Sequence, residues 1–260
     1  VRNLHGRRVG LPTPASHKRL MASVHGVAAM LQFLYLSEFD QISVLDQGGE
    51  GACTGFAMIE VAGHTYLKQD GVWRRLSAQF SYNMSRMEEG TPLSEDSGCA
   101  IPDVVHGFEV RGICREELFP TVDDGKQLKV DPPLEAKADA LNYRGLLSFH
   151  LPDDERVTDC LAQGFAVTVG ISCPDNMMAP YAAQTGEVAY PEQGEKMVGG
   201  HDIVIIGRDP DKVIGGRKGC YRFRNSWGAG WGAGGDGWLP VDFVTDGLAS
   251  DGYTVRAVSG

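Results

Sequence analysis

The sequence predicts an α+β protein of two unlike halves, and three observations carry that reading. The first half spaces its apolar residues by three and four, the period of a helix with a buried face. The second half holds short β-branched or aromatic runs separated by turns, "FAVTVGIS", "HDIVIIGRD", "CYRFRNS" and "GWLPV". The 34 glycines among 260 residues exceed ordinary usage and imply many tight turns and close backbone approaches. Helices gathered at the front and strands at the back describe α+β architecture rather than an alternating α/β one.

In chain order, residues 1 to about 15 ("HGRRVGLPTPAS" within them) read as a basic loop or arm. From Ser16 to about Phe39 the spacing of Leu20, Val24, Val27, Met30, Leu31 and Leu34 predicts a helix. A glycine-rich loop follows at 46 to 52. Residues 53 to 69 then place Phe56, Ile59, Gly63 and Leu67 along one helical face. "IPDVVHGFEVRG" predicts a short helix with Pro102 near its start and Gly112 as its stop. Residues 121 to 140 are polar and proline-bearing, a crossing between the halves. "LPDDERVTDCLAQG" predicts a helix with aspartates at its start and Gly164 at its end. The four strand-like runs close the chain.

Composition narrows the function classes. A hydrophobic fraction of 42% and a charged fraction of 22% are ordinary for a globular protein. The formal net charge of -10 and the absence of a basic stripe argue against nucleic acid as a partner. No apolar run approaches bilayer length, so no membrane partner is expected. "VHGVAAMLQFLYL" follows Lys18 and Arg19 as a signal peptide would, but it starts late and lacks a small-residue cleavage site. The compartment stays open between cytoplasmic and secreted. None of the six cysteines forms a C-x-x-C pair, and His64 lies on an apolar helix without clustered ligands. Neither a metal nor a cofactor is therefore expected. Disulfides are permitted by the even count but not needed at this size, and reduced thiols are the leaning.

Two motif matches carry little. "GWGAGG" fits a dinucleotide fingerprint, but the Gly237 and Pro240 of "DGWLPV" after it cannot begin the required helix. Asn83-Met84-Ser85 fits a glycosylation sequon, a pattern common by chance.

Three other segments point to chemistry. Cys53 stands at the mouth of a predicted helix, behind Gly48, Gly49 and Gly51. Backbone N–H groups and the dipole at a helix N-terminus favour a thiolate, and bare glycines leave room for a substrate to lie against the chain. His201, in "VGGHDIVIIG", begins a buried strand, the kind of rigid mount a general base requires. Asn225, in "FRNSWG", offers the imidazole an orienting acceptor beside Trp227 and Trp231. Each taken alone is more commonly a buried cysteine, a satisfied histidine or a turn. Together they form a nucleophile, base and orienter set.

The sequence resembles the papain-like cysteine peptidases. "DQGGEGACTGFA" looks like their Gln-loop-Cys-helix segment, "GGHDIVIIG" like their histidine strand, and "YRFRNSWGAGWGAGGDGW" like their Asn-Ser-Trp-Gly segment. The separation of Cys53 and His201 lies in that family's range. "IPDVVHGFEVRGIC", "GEKMVGGHD" and "RNSWG" look most like the bacterial branch. The resemblance implies a two-lobed papain-like fold, with a helical lobe of about 41–130, a β-rich barrel-like lobe of about 131–260 and a cleft between them. It implies Cys53 as nucleophile, His201 as proton carrier, Asn225 as its orienter, and Gln47 with the Cys53 N–H as oxyanion donors. Trp227 would cover the His–Asn hydrogen bond, and Gly51, Gly200 and Asp202 would border the substrate. The implied reaction is peptide-bond hydrolysis through an acyl-enzyme, with a peptide or protein as substrate. Acyl transfer to an amine and a silent binding domain are the alternatives.

The sequence also departs from the family pattern. Glu50 stands where many relatives carry a cysteine that pairs near Cys99, and Thr54 replaces the usual Trp. "CAIPDV" lacks the glycine pair on which relatives lay the substrate backbone. Asp202 replaces a small residue, where it would favour a basic side chain or pair locally. Residues 1–40 form an N-terminal extension, and its surplus of roughly 1 to 28 is expected to inhibit by crossing the cleft or to pack as a helix.

Overall fold

The computed structural model describes residues 7–8, 18–19, 30–122 and 126–260. It opens with short strands β1 (Arg7–Arg8), β2 (Lys18–Arg19) and β3 (Leu34–Tyr35), then a 3-10 turn at Ser37–Gln41. Helices α1 (Cys53–Asp70) and α2 (Ala78–Glu88) follow, and β4 (Cys99–Ala100) runs directly into α3 (Ile101–Val110). After α4 (Leu134–Ala140) come β5 (Gly145–Leu151), α5 (Asp154–Ala162), β6 (Val167–Pro174) and α6 (Pro180–Thr185). The chain ends with β7 (Met197–Ile214), β8 (Arg217–Arg224), β9 (Asp236–Pro240), α7 (Asp242–Thr245) and β10 (Ala249–Val258).

Helices α1, α2 and α3 pack on one another, while β5, β10, β6, β7, β8 and β9 form one antiparallel sheet in that spatial order. Helix α1 is the seam. It touches α2 and α3 on one side and β6, β7 and β10 on the other. Every residue from Cys53 to Tyr66 is therefore buried, not only the single face its spacing suggested. Burying a large apolar side chain contributes about 1.5–3 kcal/mol. Phe56, Met58, Ile59 and Val61 make α1 a core element first. Gly71 stops it in the left-handed conformation, donating to the Leu67 carbonyl.

The sheet positions the second half of the site. In β7, residues 201 to 208 are buried throughout, as expected for a strand covered on both faces. It pairs antiparallel with β6 (Ile171 opposite His201) and with β8 (Val204 opposite Arg224). His201 thus sits near the start of a long, doubly held strand, and Asn225 lies one residue past the end of β8.

Helices α1, α3 and α5 and the four foreseen strands form where the sequence placed them. Pro102 lies in the first turn of α3. Gly112, at φ +80°, ends that segment where a Cβ would meet the Ala140 carbonyl oxygen at 1.8 Å. Asp153 caps α5 by accepting from the Arg156 N–H. The helix expected over Ser16 to Phe39 is not realised where the structure describes it. Lys18–Arg19 pairs parallel with β5, and Leu34–Tyr35 pairs antiparallel with Arg208 and Gly207 of β7. The Leu36 N–H adds a bond of 2.9 Å to the Ile206 carbonyl. Sheet edges leave backbone groups needing partners, and that demand outweighs a weak helical pattern. Leu31 and Phe33 are left 79% and 61% exposed, so the pattern gathers no buried face here. Leu20, Val24 and Val27 lie outside the described residues. The polar crossing at 121 to 140 also gains structure, a 3-10 turn at Gln127–Lys129 and α4, because Ala136 and Ala140 find burial.

All six cysteines are buried, and none is in a disulfide. Asn83 is buried in α2, its amide nitrogen donating to the carbonyls of Gln127 and Val130, so the sequon match is structural. Among the described residues no helix is long and apolar enough to cross a membrane, and no acidic, His or Cys cluster could hold a metal.

Candidate active site

Cys53 is the first residue of α1, 1% exposed, and no side chain caps the helix ahead of it. The positive end of an 18-residue helix dipole is therefore left at the cysteine. At the other five thiols burial disfavours the thiolate. Burial pushes Cys114, Cys173 and Cys220 up to about 12, and raises Cys99 and Cys160 as well. For Cys99 the Thr54 hydroxyl, 2.9 Å away, opposes that rise.

His201 and Asn225 meet directly. His201 Nε2 lies 2.8 Å from Asn225 Oδ1, with the two residues only 1% and 2% exposed. The same oxygen accepts from the Ser226 N–H at 2.8 Å, which fixes the amide as an acceptor toward the ring. Trp227 lies over the imidazole with ring centroids 4.7 Å apart, and Trp231 meets Trp227 edge-on. The indole keeps water away from the His–Asn bond, where a low dielectric strengthens it. Asn225 is anchored in turn by its N–H to the Gly235 carbonyl at 3.0 Å. Gly235 has φ +96°, and a Cβ there would lie 2.5 Å from Val44 Cγ1. The glycine-rich stretch at 228 to 235 is thus a loop shaped to close on residues 44 to 46, not a nucleotide-binding turn.

Gln47 joins this pair to the loop before Cys53. Its backbone N–H donates to the Ser226 carbonyl, and its side-chain oxygen accepts from Ser226 Oγ at 2.5 Å. Its Nε2 donates to the Glu50 carbonyl at 2.6 Å, leaving the second N–H of the amide for another acceptor. Asp46 bridges Trp227, and Gly228 donates to the Leu45 carbonyl. The strands and the helix are therefore laced together by an unbroken path from His201 through Asn225, Ser226 and Gln47 to the Glu50 loop.

The remaining expected residues are placed as follows. Gly51 is buried and gives its N–H to Asp96 at 2.9 Å. Gly200 sits in β7 opposite Ser172, next to His201. Asp202 is 2% exposed, and both its oxygens accept from Thr168 Oγ1, at 2.8 and 2.9 Å. It lines a space of only about 10 Å³ that also touches Asn225 and Ser226.

Sequence reasoning missed one contributor to this set and one buried acid outside it. Ser226 holds Gln47 and Asn225 together, and its place inside "RNSWG" was the available signal. Glu60 is the buried acid. It is 5% exposed on α1, and burial lifts its carboxyl to about 7, opposed by Arg224. A lone acid within the apolar run "FAMIEVAG" was the signal there.

Among known proteins, the chain is similar in structure to xylellain, a cysteine protease from Xylella fastidiosa. The TM-score is 0.84 at 23% identity, covering 99% of this chain and 98% of that one. Digestive procathepsin L 3 of the Tenebrio molitor larval midgut gives 0.66 at 19% identity, over 98% and 75% of the respective chains. The bromelain protease of Ananas comosus, solved with the E64 inhibitor, gives 0.62 at 18% identity over 86% and 98%. A curated uncharacterized peptidase C1-like protein of Acanthamoeba polyphaga mimivirus is 28% identical over 230 residues, 84% of this chain and 71% of its own length. No protein-family model matches the chain. The architecture is the two-lobed papain-like α+β fold. The curated relative is viral and lends no support to a grouping with bacterial members.

Proposed function

We propose that the chain is a papain-like cysteine peptidase working through Cys53, His201, Asn225 and Gln47. The observation that carries this reading is the buried His201–Asn225 hydrogen bond of 2.8 Å under Trp227, tied through Ser226 and Gln47 to the loop that ends at Cys53. The Cys53 sulfur, its proton held by His201, attacks the carbonyl carbon of a peptide substrate. The oxygen becomes an anion, received by the Cys53 N–H and the second N–H of Gln47. The C–N bond then breaks as His201 gives its proton to the departing amine, leaving a thioester. Water, deprotonated by His201, attacks the thioester and releases the acid and the thiol. Asn225 keeps the imidazole pointed through both steps.

Within this reading, the N-terminal segment restrains the site. Strand β1 pairs parallel with β4, Arg7 opposite Cys99, and also touches β7, the strand of His201. Cys99 in turn contacts Thr54, the neighbour of Cys53. Strand β1 thus contacts both sides of the proposed cleft, which supports a self-inhibitory strap. The narrower grouping with bacterial members rests on the "IPDVVHGFEVRGIC", "GEKMVGGHD" and "RNSWG" segments.

The test is labelling with an epoxide that captures papain-type thiolates, located by mass spectrometry, on the whole chain and on one lacking residues 1–28. Modification at Cys53 alone among the six thiols is expected, faster after truncation. A folded protein with inert Cys53 in both forms would overturn the peptidase. Equal rates in the two forms would overturn the strap alone.

A further inference from the structure

Away from the proposed catalytic groups, a cavity of about 240 Å³ opens beside α1, lined among others by Leu45, Ile59, Glu60, Trp73, Arg75 and Leu76. Its walls are mixed, with Leu45, Ile59, Leu76 and the half-buried Trp73 ring beside the polar side chains of Gln41, Ser43 and Arg74. Glu60 is 5% exposed, and its Oε2 has no hydrogen-bond partner. A buried carboxyl oxygen without a partner is costly and calls for an explanation, of which a bound cationic group is one. The nearby Arg224 does not complete it, because that guanidinium is taken up by Asp236 Oδ1 at 2.6 Å and by the carbonyls of Phe39 and Ile42. At the mouth, Arg75 is exposed, with no side-chain hydrogen bond or ion pair among the described residues. Arg75 also lines the adjoining hollow of about 250 Å³, beside Glu116.

We propose that this cavity binds a small zwitterion of the basic amino-acid type, its cationic end on Glu60, its aliphatic stem against Ile59, Leu45 and Trp73, and its carboxylate on Arg75. The charge order of the site runs acid inside and base outside, so a simple amine satisfies one end and a simple carboxylate the other. A guanidinium suits the inner end, since it is weakly hydrated and stacks on an aromatic face. None of Cys53, His201 and Gln47 lines the cavity, so the proposal stands apart from the proposed peptidase.

The groups that set the charge of Glu60 are Arg224 on β8, Asp236 on β9 and Arg75, with Arg74 and Asp202 sharing the two spaces it lines. Its carboxyl titrates at about 7 when burial dominates. A bound cation favours the ionised form, so affinity rises with pH, by about tenfold from pH 6 to 8 as the ionised fraction grows.

Isothermal titration of the whole chain with L-arginine tests this, with agmatine (no carboxylate) and L-citrulline (a neutral side chain) as comparisons. L-Arginine is expected to bind one to one. Citrulline should bind at least about tenfold more weakly, the worth of a charge-assisted hydrogen bond. Arg75→Ala should bring L-arginine down to the level of agmatine, and Glu60→Gln should abolish both the tenfold preference and the pH dependence. No heat up to roughly 10 mM L-arginine, the weak end of specific affinity, would overturn the proposal. So would citrulline binding equally well, a comparison that needs no variant to fold.

Discussion

Replacing Asn225 by alanine isolates the orienting step. The substitution removes the acceptor for His201 Nε2 and for the Ser226 N–H, both bonds of 2.8 Å in a site where neither His201 nor Asn225 is more than 2% exposed. A buried hydrogen bond lost with its partner left behind costs about 1–3 kcal/mol. If the cost for the imidazole falls on the transition state, kcat drops about 5- to 150-fold. The loss stays below that of removing His201, because Trp227 still stacks on the ring at 4.7 Å. KM should change little, since a side chain so buried touches no substrate. The second orphaned donor falls on stability and lowers the melting temperature. Asn225→Asp keeps both acceptors and adds a charge that favours the protonated imidazole, so its activity should persist to higher pH than wild type. The assay is kcat and KM on a fluorogenic peptide amide across pH, with circular dichroism to establish folding. A folded Asn225→Ala enzyme with undiminished kcat, or a loss confined to KM, would refute the reasoning.

Three further outcomes are expected. Asp202→Ala should change the ratio of turnover of Arg- to Leu-containing peptides if its carboxylate meets the substrate; with both oxygens on Thr168, an unchanged ratio would assign it to local structure. Glu60→Gln should stabilise the chain increasingly as pH rises from about 4.5 to about 7, because burial holds the folded carboxyl at about 7 and the unfolded chain sheds that proton first. The gain is of order 3 kcal/mol at its plateau, read as urea midpoints at pH 5 and 7.5; equal gains at both would mean that Glu60 is not a buried neutral acid. Gly55→Ala should destabilise by about 1–3 kcal/mol, since its Cβ would lie 2.5 Å from the Ala78 carbonyl oxygen, and an unchanged midpoint would show that α2 can move aside.

The proposed catalytic set was legible because each residue sits at an element boundary where chemistry and backbone geometry both constrain the sequence. A cysteine at a helix mouth behind glycines, a histidine opening a buried strand and an asparagine closing its neighbour leave local signatures. The N-terminal extension left a misleading one. Leu31 and Leu34 keep a helical interval, yet Leu34 pairs with Arg208 and Leu36 donates to Ile206. Those partners are far off in sequence, and no local window carries the competition between helix and sheet edge. Strands β5 and β10 escaped for a related reason. Their registers with one another shift at Val255, Ala257 and Val258, and β5 exposes Leu146 at 58%, which blurs the alternation a reader would look for.

Helix α1 shows where a sequence stops and a structure is needed. Between Cys53 and Lys68 its acidic and imidazole groups are Glu60 and His64, one turn apart. Read as letters they are a charged residue and a titratable one within an apolar run. In the fold, burial moves them in opposite directions, Glu60 up to about 7 and His64 down to about 4. The His64 contribution is present above the unfolded value near 6.5 and is lost as pH falls through about 4. That of Glu60 is present below about 4.5 and is lost as pH rises through about 7. Over the window between 4.5 and 6.5 the two slopes oppose each other, and both groups are neutral around pH 6. The body of the helix then adds no charge beneath Cys53. On the proposed reading, the thiolate of Cys53 then draws on the helix N-terminus and on His201, the two features that a cysteine nucleophile requires.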